Sequence, residues 1–447
     1  MSLKRRCIAA LVLALAAAAP VHAQDARPQL ESATPAQAQQ FAPLFDAVVS
    51  TITKHFWDKD RLISLNWEKR AAEVRPAIIA APNLEEAARH INALLGELKM
   101  SHTGLLTPDD VDYYVLMSVF SGASMPQEDF DERFWGAGVT YAGIGHFSVV
   151  MDGRHFVDSI LEGSPAARAG LLVGDEILSI DGALYHPIRS FAGKSGREVQ
   201  VAIRRKDGAP PLTLPIKVMT IAPLHAFREA TRASARTIDR DGKRIGYVHV
   251  WASVGDESAN ALRDALSRLG VNANDRQDRP PPLDALIVDM RGKIGGTATN
   301  ATRYLELLDP RGPLLVGSRD RNQASRDVRG RTAVLIDHHT RSTGELFVHA
   351  YKRERQGPLI GTRTAGAVSA ASAFTMPGGS LLYVAVSGLE VDREVLEGPG
   401  VAPDIEVSRP LRYSQGADPV LDRAVEELAK TAPPREQRAP EDKTGTP

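Results

Sequence analysis

The 447-residue chain has almost no cysteine: Cys7 is the only one, and it lies in an apolar N-terminal stretch. Beyond that stretch, disulfides, thiolate catalysis and cysteine-ligated metal are excluded. Neither sign of charge is in excess, since 54 Lys and Arg stand against 55 Asp and Glu. With no basic block, nothing points to nucleic acid as a partner. No apolar run reaches the roughly 20 residues of a membrane span, which argues against stable membrane insertion. HExxH is absent and the 12 histidines do not cluster apart from His338 and His339, so neither a zinc hydrolase nor any other metal or cofactor is expected. No GxSxG marks an α/β-hydrolase elbow, and "AGKSGRE" around Lys194 has Ile188 where a phosphate-binding loop needs glycine. Internal repeats are absent as well.

What is present reads as several units. "MSLKRRCIAALVLALAAAAPVHAQ" has a basic start, a short apolar run and a small-x-small ending at Ala23, the signature of a secretory signal over 1–23 and of an exported, periplasmic or secreted product. Loss of Lys4, Arg5 and Arg6 with it leaves 51 basic against 55 acidic side chains, a net charge of −4. A polar stretch runs to about residue 40, and residues to about 107 then read as helical. In the last of these helices Asn83 and Glu86 form a capping-box spacing ahead of Leu84, Ala87, Ala88, Ile91, Leu94, Leu95 and Leu98. From 134 to 218 short alternating β runs are punctuated by glycine. Further on, "RIGYVHVW", "DALIVDM" and "TAVLID" are continuous apolar strands, followed by helices over 256–270, 297–308 and 343–355, and "SLLYVAV" adds a later strand. The Pro-rich, charged tail 431–447 reads as disordered.

Four stretches could carry chemistry. In "DHHTRSTGELF", Ser342 with Glu345 three residues on fits a capping box before the apolar face Leu346, Phe347, Ala350 and Tyr351. A serine at a strand-to-helix turn also has the free N–H groups of a helix start beside it, where an oxyanion would be stabilised. The local pattern leaves both readings open. "VDMRGKIGG" ends in Gly295 and Gly296, which let a backbone approach a ligand, or simply turn the chain. "MSHTG" offers Ser101 and His102, a base or an ordinary hydrogen-bonded pair. "EVLEGPGVAPDIEV" offers Glu394 and Glu397, functional or solvated.

The β-rich stretch "GSPAARAGLLVGDEILSIDG" is similar to the core of a PDZ domain of the kind found in exported bacterial proteases, which bind peptide C-termini by strand addition. The peptide-binding loop would be Gly143, Ile144 and Gly145, with Gly136 to Val139 as the competing choice. In order along the chain, "GELKMSHTGLL", that core, "LIVDMRGKIGG", "TRSTGELF", "GPLIGTRTAGAV" and "LEGPGVAPDIEV" resemble the C-terminal-processing and tricorn-type serine peptidases over roughly residues 40 to 412. The processing branch uses a lysine downstream of the serine, at the position Ala367 occupies here, whereas the tricorn-type branch pairs the serine with a histidine from the N-terminal part.

The resemblance implies an α/β fold: a crotonase-like (ββα-spiral) catalytic core at 219–430, an N-terminal helical region at 24–133, and an inserted PDZ-like domain at 134–218. It implies Ser342 as nucleophile, His102 as general base, Ser101 and Glu397 completing a tetrad, and an oxyanion hole from the Thr343 N–H and one of Gly295 or Gly296. Activity would be lost as pH falls through about 6 to 7. Two departures stand out: Lys293 where relatives usually carry Asn, with Lys293 as an alternative base, and the histidine pair before Ser342. His338 or His339 could serve as base, although a solvated turn histidine is the simpler reading. The expected function is exported serine endopeptidase or C-terminal processing activity on unfolded or C-terminally exposed polypeptides, the alternative being a catalytically silent peptide- or small-ligand-binding protein. Oligomeric state is left open.

Overall fold

The computed structural model describes residues 35–120, 138–271, 280–292, 295–308, 332–391 and 393–431. The expected signal, most of the tail after residue 430, and Lys293 lie outside these residues.

The continuous apolar runs form the centre of a six-stranded sheet. Arg236–Arg240 pairs antiparallel with Lys243–His249, and Ala285–Asp289, Thr332–Ile336, Leu359–Gly361 and Ile405–Glu406 follow in parallel. Both faces are covered, which is why these strands carry no polar alternation. Val248, Leu286, Val288, Val334 and Ile336 face the helices Gly255–Arg268, Ala298–Leu308 and Thr343–Arg353. Ile245, Tyr247, Ile287, Ala333 and Leu335 face Pro419–Thr431 instead. The three expected helices lie within about two residues of their expected bounds, as end fraying allows. On the last of them Phe347, Val348 and Tyr351 are buried, while Leu346 and Ala350 stay half-exposed.

The N-terminal helices Pro35–His55, Lys59–Leu65, Trp67–Ile79 and Leu84–Gly96 share one core, so helix begins slightly before residue 40. The Asn83 side chain caps the last helix by accepting from the Glu86 N–H (2.9 Å). Ile91, Leu94 and Leu95 bury its inner face, and Leu98 is buried just past its end.

This core is closed by strand Leu381–Ser387, whose Leu382 and Val384 lie within it. The expected strand therefore forms, but outside the central sheet. It sits between Ala370–Thr375 and Gly104–Leu106, with Gly104 opposite Tyr383 and Leu106 opposite Leu381. A strand immediately after His102 is thus bonded into the C-terminal half of the chain.

The β-rich unit is a second sheet of His146–Met151, Arg154–Ile160, Glu176–Ile180, Glu198–Arg204 and Leu212–Lys217 around a core of Ile144, Val157, Ile177, Phe191, Val201 and Ile203. Its short helix Pro165–Arg168 is capped by Ser164. Gly174 adopts φ 88°, and a Cβ there would collide with Leu411 O and Ser414, so glycine is required where the 411–414 segment docks. Strand Tyr141–Gly143 pairs with Met219–Ile221 beside this sheet.

Candidate active site

Ser342 closes the turn between strand Thr332–Ile336 and helix Thr343–Arg353 with φ 53° and ψ −123°, a conformation costly for a non-glycine residue, of order 1–3 kcal/mol. Such a geometry persists only where neighbours fix it. The Ser342 N–H donates to Ala367 O (2.7 Å) and meets the Glu345 carboxylate at 3.3 Å, the capping-box relation the spacing predicts. Glu345 does more than cap. Fully buried, it accepts from Thr364 Oγ1 (2.6 Å), Gly366 N–H (2.7 Å) and Ala367 N–H (2.6 Å), tying loop 364–367 to the base of the helix. Burial raises the pKa of its carboxyl even though these hydrogen bonds work in the other direction.

Gly295 lies against the serine. A Cβ on Gly295 would strike Ser342 Cβ and come within 2.9 Å of Oγ and 3.0 Å of Thr343 N. Gly296 faces the opposite way, and a Cβ there would collide with Ser253 O. Ser253 also ties this segment down, donating to Gly295 O (2.9 Å) and accepting from Thr297 N–H (3.0 Å). Thr343 is buried at the first helical position, where an N–H has no intrahelical acceptor. Of the two glycines, Gly295 is the one beside Ser342 and Thr343.

His102 reaches the same region from the N-terminal part. It is 3% exposed, its ring packs against Tyr383 (5.3 Å between centroids), and Nδ1 lies 2.7 Å from Ser101 Oγ. Burial, and secondarily the Arg341 charge, push its pKa down to about 4, against an upward pull from Glu397. Glu397 gathers the surrounding donors: Ser101 N–H (3.1 Å) on Oε1, and Val368 N–H, Ser369 N–H and Ser369 Oγ (2.9 Å each) on Oε2. Burial works upward on its pKa, but hydrogen bonds from the Ser101 side chain and from Ser369 hold it below the usual carboxylate range.

Its loop is stitched to the serine's, with Gly398 N–H donating to Gly366 O (2.8 Å) and Val401 N–H to Thr364 Oγ1 (2.7 Å). Loop 364–369 therefore bonds Ser342 at Ala367 and the Ser101–His102 pair through Glu397. Ala367, where the resemblance puts the processing branch's lysine, contributes a carbonyl to the serine's own N–H.

Three residues of the site stand in no motif of their own: Ser369, Tyr383 and Arg341. Their part, like the loop-anchoring role of Glu345, is visible only once the loops are assembled. His339 is a partly exposed turn histidine whose Nε2 stands 3.1 Å from Asp158 Oδ2 in the β-rich unit, while His338 is exposed, its ring tilted against that of His339 at 4.0 Å between centroids. Glu394 is exposed, the solvated alternative. Gly143, Ile144 and Gly145 end one strand and lead into His146–Met151, which is an edge strand of the β-rich sheet among the described residues. Their carbonyls are engaged inward, Ile144 O with Ala166 N–H (2.9 Å) and Gly145 O with Leu161 N–H (3.0 Å). Among the described residues no group of three or more His, Cys, Asp or Glu could hold a metal ion, and no helix is long and apolar enough to cross a membrane.

Residues 244–407 match the family model described as Peptidase family S41, and residues 156–185 match that of a PDZ domain. Tricorn protease homolog 2 of Streptomyces coelicolor is 28% identical over 424 residues, covering 89% of this chain and 33% of the relative. Carboxy-terminal processing protease CtpA of Bacillus subtilis is 25% identical over 298 residues, covering 63% of this chain and 59% of the relative. The crystal structure of the tricorn protease aligns with a TM-score of 0.48 at 18% identity, over 88% of this chain and 37% of that one. The chain thus spans a third of the tricorn-type relative and about three-fifths of CtpA. It is similar to the tricorn and carboxy-terminal processing proteases, with the pattern of peptidase family S41 in its central sheet and that of a PDZ domain in its β-rich unit.

Proposed function

We propose that the chain is a serine peptidase in which Ser342 is the nucleophile and His102 its general base. The observation that carries this reading is the line Glu397–Ser101–His102 Nδ1, converging through loop 364–369 on a strained serine at a helix start. The Ser101 hydroxyl, donating to Glu397, accepts from the His102 Nδ1–H. That fixes the tautomer with Nε2 unprotonated and able to take the Ser342 proton.

As Oγ attacks the scissile carbonyl, negative charge develops on its oxygen. The N–H groups of Thr343 and Gly295 are the donors for it, each worth about 3 kcal/mol in such sites. The imidazolium then protonates the leaving amine, and water repeats the sequence on the acyl-enzyme. A histidine with so low a pKa is a weak base at rest and a strong acid once protonated, which favours expulsion of the amine.

We place the catalytic core at 219–430 with a crotonase-like arrangement, the helical region supplying Ser101 and His102 at 24–133, and a PDZ-like domain at 134–218. Polypeptides exposed at their C-termini are the proposed substrates. The edge strand His146–Met151 offers main-chain pairing, and the amides of Gly143–Gly145, whose loop carbonyls are already engaged, offer a carboxylate site. Residues 1–23 are proposed as an export signal, with a periplasmic or secreted product. The test is casein hydrolysis by wild type and Ser342→Ala: the variant should fall to background, and equal hydrolysis by both would falsify the nucleophile assignment.

A further inference from the structure

The turn that presents Ser342 is held from two sides. Toward the central sheet, Thr340 Oγ1 donates to Met290 O (3.0 Å), Thr340 O accepts from Ala365 N–H (3.0 Å), and Ser342 N–H donates to Ala367 O (2.7 Å). Toward the β-rich unit, His339 Nε2 meets Asp158 Oδ2 at 3.1 Å. Asp158 is 5% exposed on strand Arg154–Ile160, and a carboxylate so placed needs partners. Ser159 Oγ lies 3.3 Å from Oδ2, and Arg409 donates to the Asp158 carbonyl (3.1 Å), so the strand is fixed where it meets the turn. His339 is equally constrained: its own N–H donates to Asp337 Oδ1 (2.8 Å), and its ring lies tilted against that of His338.

We propose that His339 is a positioning residue for Ser342, and that its contact with Asp158 makes the β-rich unit part of the nucleophile's mounting. The inference rests on the reading of Ser342 as nucleophile and goes beyond it. A serine at φ 53° keeps that conformation only while its surroundings over-determine it, and the His339–Asp158 contact supplies the constraint on the side facing away from the central sheet. Released from Asp158, the turn has a more relaxed alternative in which the Ser342 hydroxyl is displaced from the His102 side. Substrate binding elsewhere is untouched, so the loss falls on kcat. Strand Arg154–Ile160 also pairs with the edge strand His146–Met151.

The test measures kcat and KM on fluorescein-labelled casein, with the thermal midpoint, for wild type, His339→Ala, His339→Gln, Asp158→Ala, the His339→Ala/Asp158→Ala pair and Ser342→Ala. The account expects His339→Ala to lower kcat roughly tenfold with KM changed by less than about twofold. His339→Gln should recover most of that loss, because its amide Nε2 can donate to Asp158 as the imidazole does. The double variant should be no worse than the poorer single one. Wild-type kcat in His339→Ala, equal losses in the Gln and Ala variants, or multiplying single effects would each overturn the proposal. If Asp158→Ala fails to fold, the contrast between Gln and Ala at 339 still decides. An inactive Ser342→Ala beside a fully active His339→Ala rejects the positioning role alone, whereas an active Ser342→Ala rejects the nucleophile reading and this one with it.

Discussion

His102 carries the sharpest consequence at the scale of single residues. From the residue type alone, activity should decline as pH falls through about 6 to 7. Burial and the Arg341 charge move the group to about 4 in the folded chain, so the neutral base persists to more acid pH. The acid limb of kcat/KM is therefore expected near pH 4, and a limb at 6 to 7 would show that His102 is not desolvated in the free enzyme. The same shift acts on stability. Between the ordinary value of 6.5 and about 4 the unfolded chain binds a proton that the folded chain does not, so folding weakens as pH drops through that window and recovers above it. Ser101→Ala removes the acceptor that fixes the tautomer, and kcat should fall by about 10- to 100-fold with KM little changed. An unaltered kcat would leave Ser101 without a role in the reaction.

The four residues of the proposed site are offered by the sequence because their types stand in short motifs. The contact of His339 with Asp158 is not, because Asp158 belongs to a distant strand and no local pattern announces it.

Among the elements, the helix start Thr343–Arg353 shows how one residue serves two purposes. Glu345 satisfies the capping-box spacing, and that spacing was readable. Its buried carboxylate also holds Thr364, Gly366 and Ala367, which was not readable, since the loop arrives from beyond the helix. Glu345→Ala leaves these three donors without their acceptor and should destabilise the fold by about 3 kcal/mol, measured by urea unfolding. A loss below about 1 kcal/mol would mean that water replaces the carboxylate and the loop is held by other means. The central strands and their helices were legible from continuous apolar runs and 3.6-residue periodicity. "SLLYVAV" was legible as a strand but not in its pairing, because period-two alternation fixes faces and says nothing about which strand lies alongside.

For the molecule as a whole, the proposed base and nucleophile come from distant parts of the chain and are joined through a small antiparallel sheet. Strand Gly104–Leu106 inserts beside Leu381–Ser387 and carries the Ser101–His102 turn with it, while Leu105 packs into the N-terminal helical core. Leu105→Ala should cost about 3 kcal/mol in global stability. It should also lower kcat at temperatures where the protein is still folded, because the strand that seats His102 loosens first. A variant with wild-type kcat and a lowered thermal midpoint would separate the two roles. The order of units was readable from composition. Their docking was not, since Gly174 against the 411–414 segment and Asp158 against His339 are contacts between distant surfaces.

The central claim is that Ser342 is the nucleophile of a peptidase, and covalent labelling tests it most directly. The chain is treated with a fluorophosphonate while casein hydrolysis is followed, and the adduct is mapped by mass spectrometry of its peptides. The account predicts one equivalent of label on Ser342, incorporated in parallel with the loss of hydrolysis and abolished by His102→Ala. Casein cleavage that persists in fully labelled protein, or an inactivating label on any other residue, would contradict it.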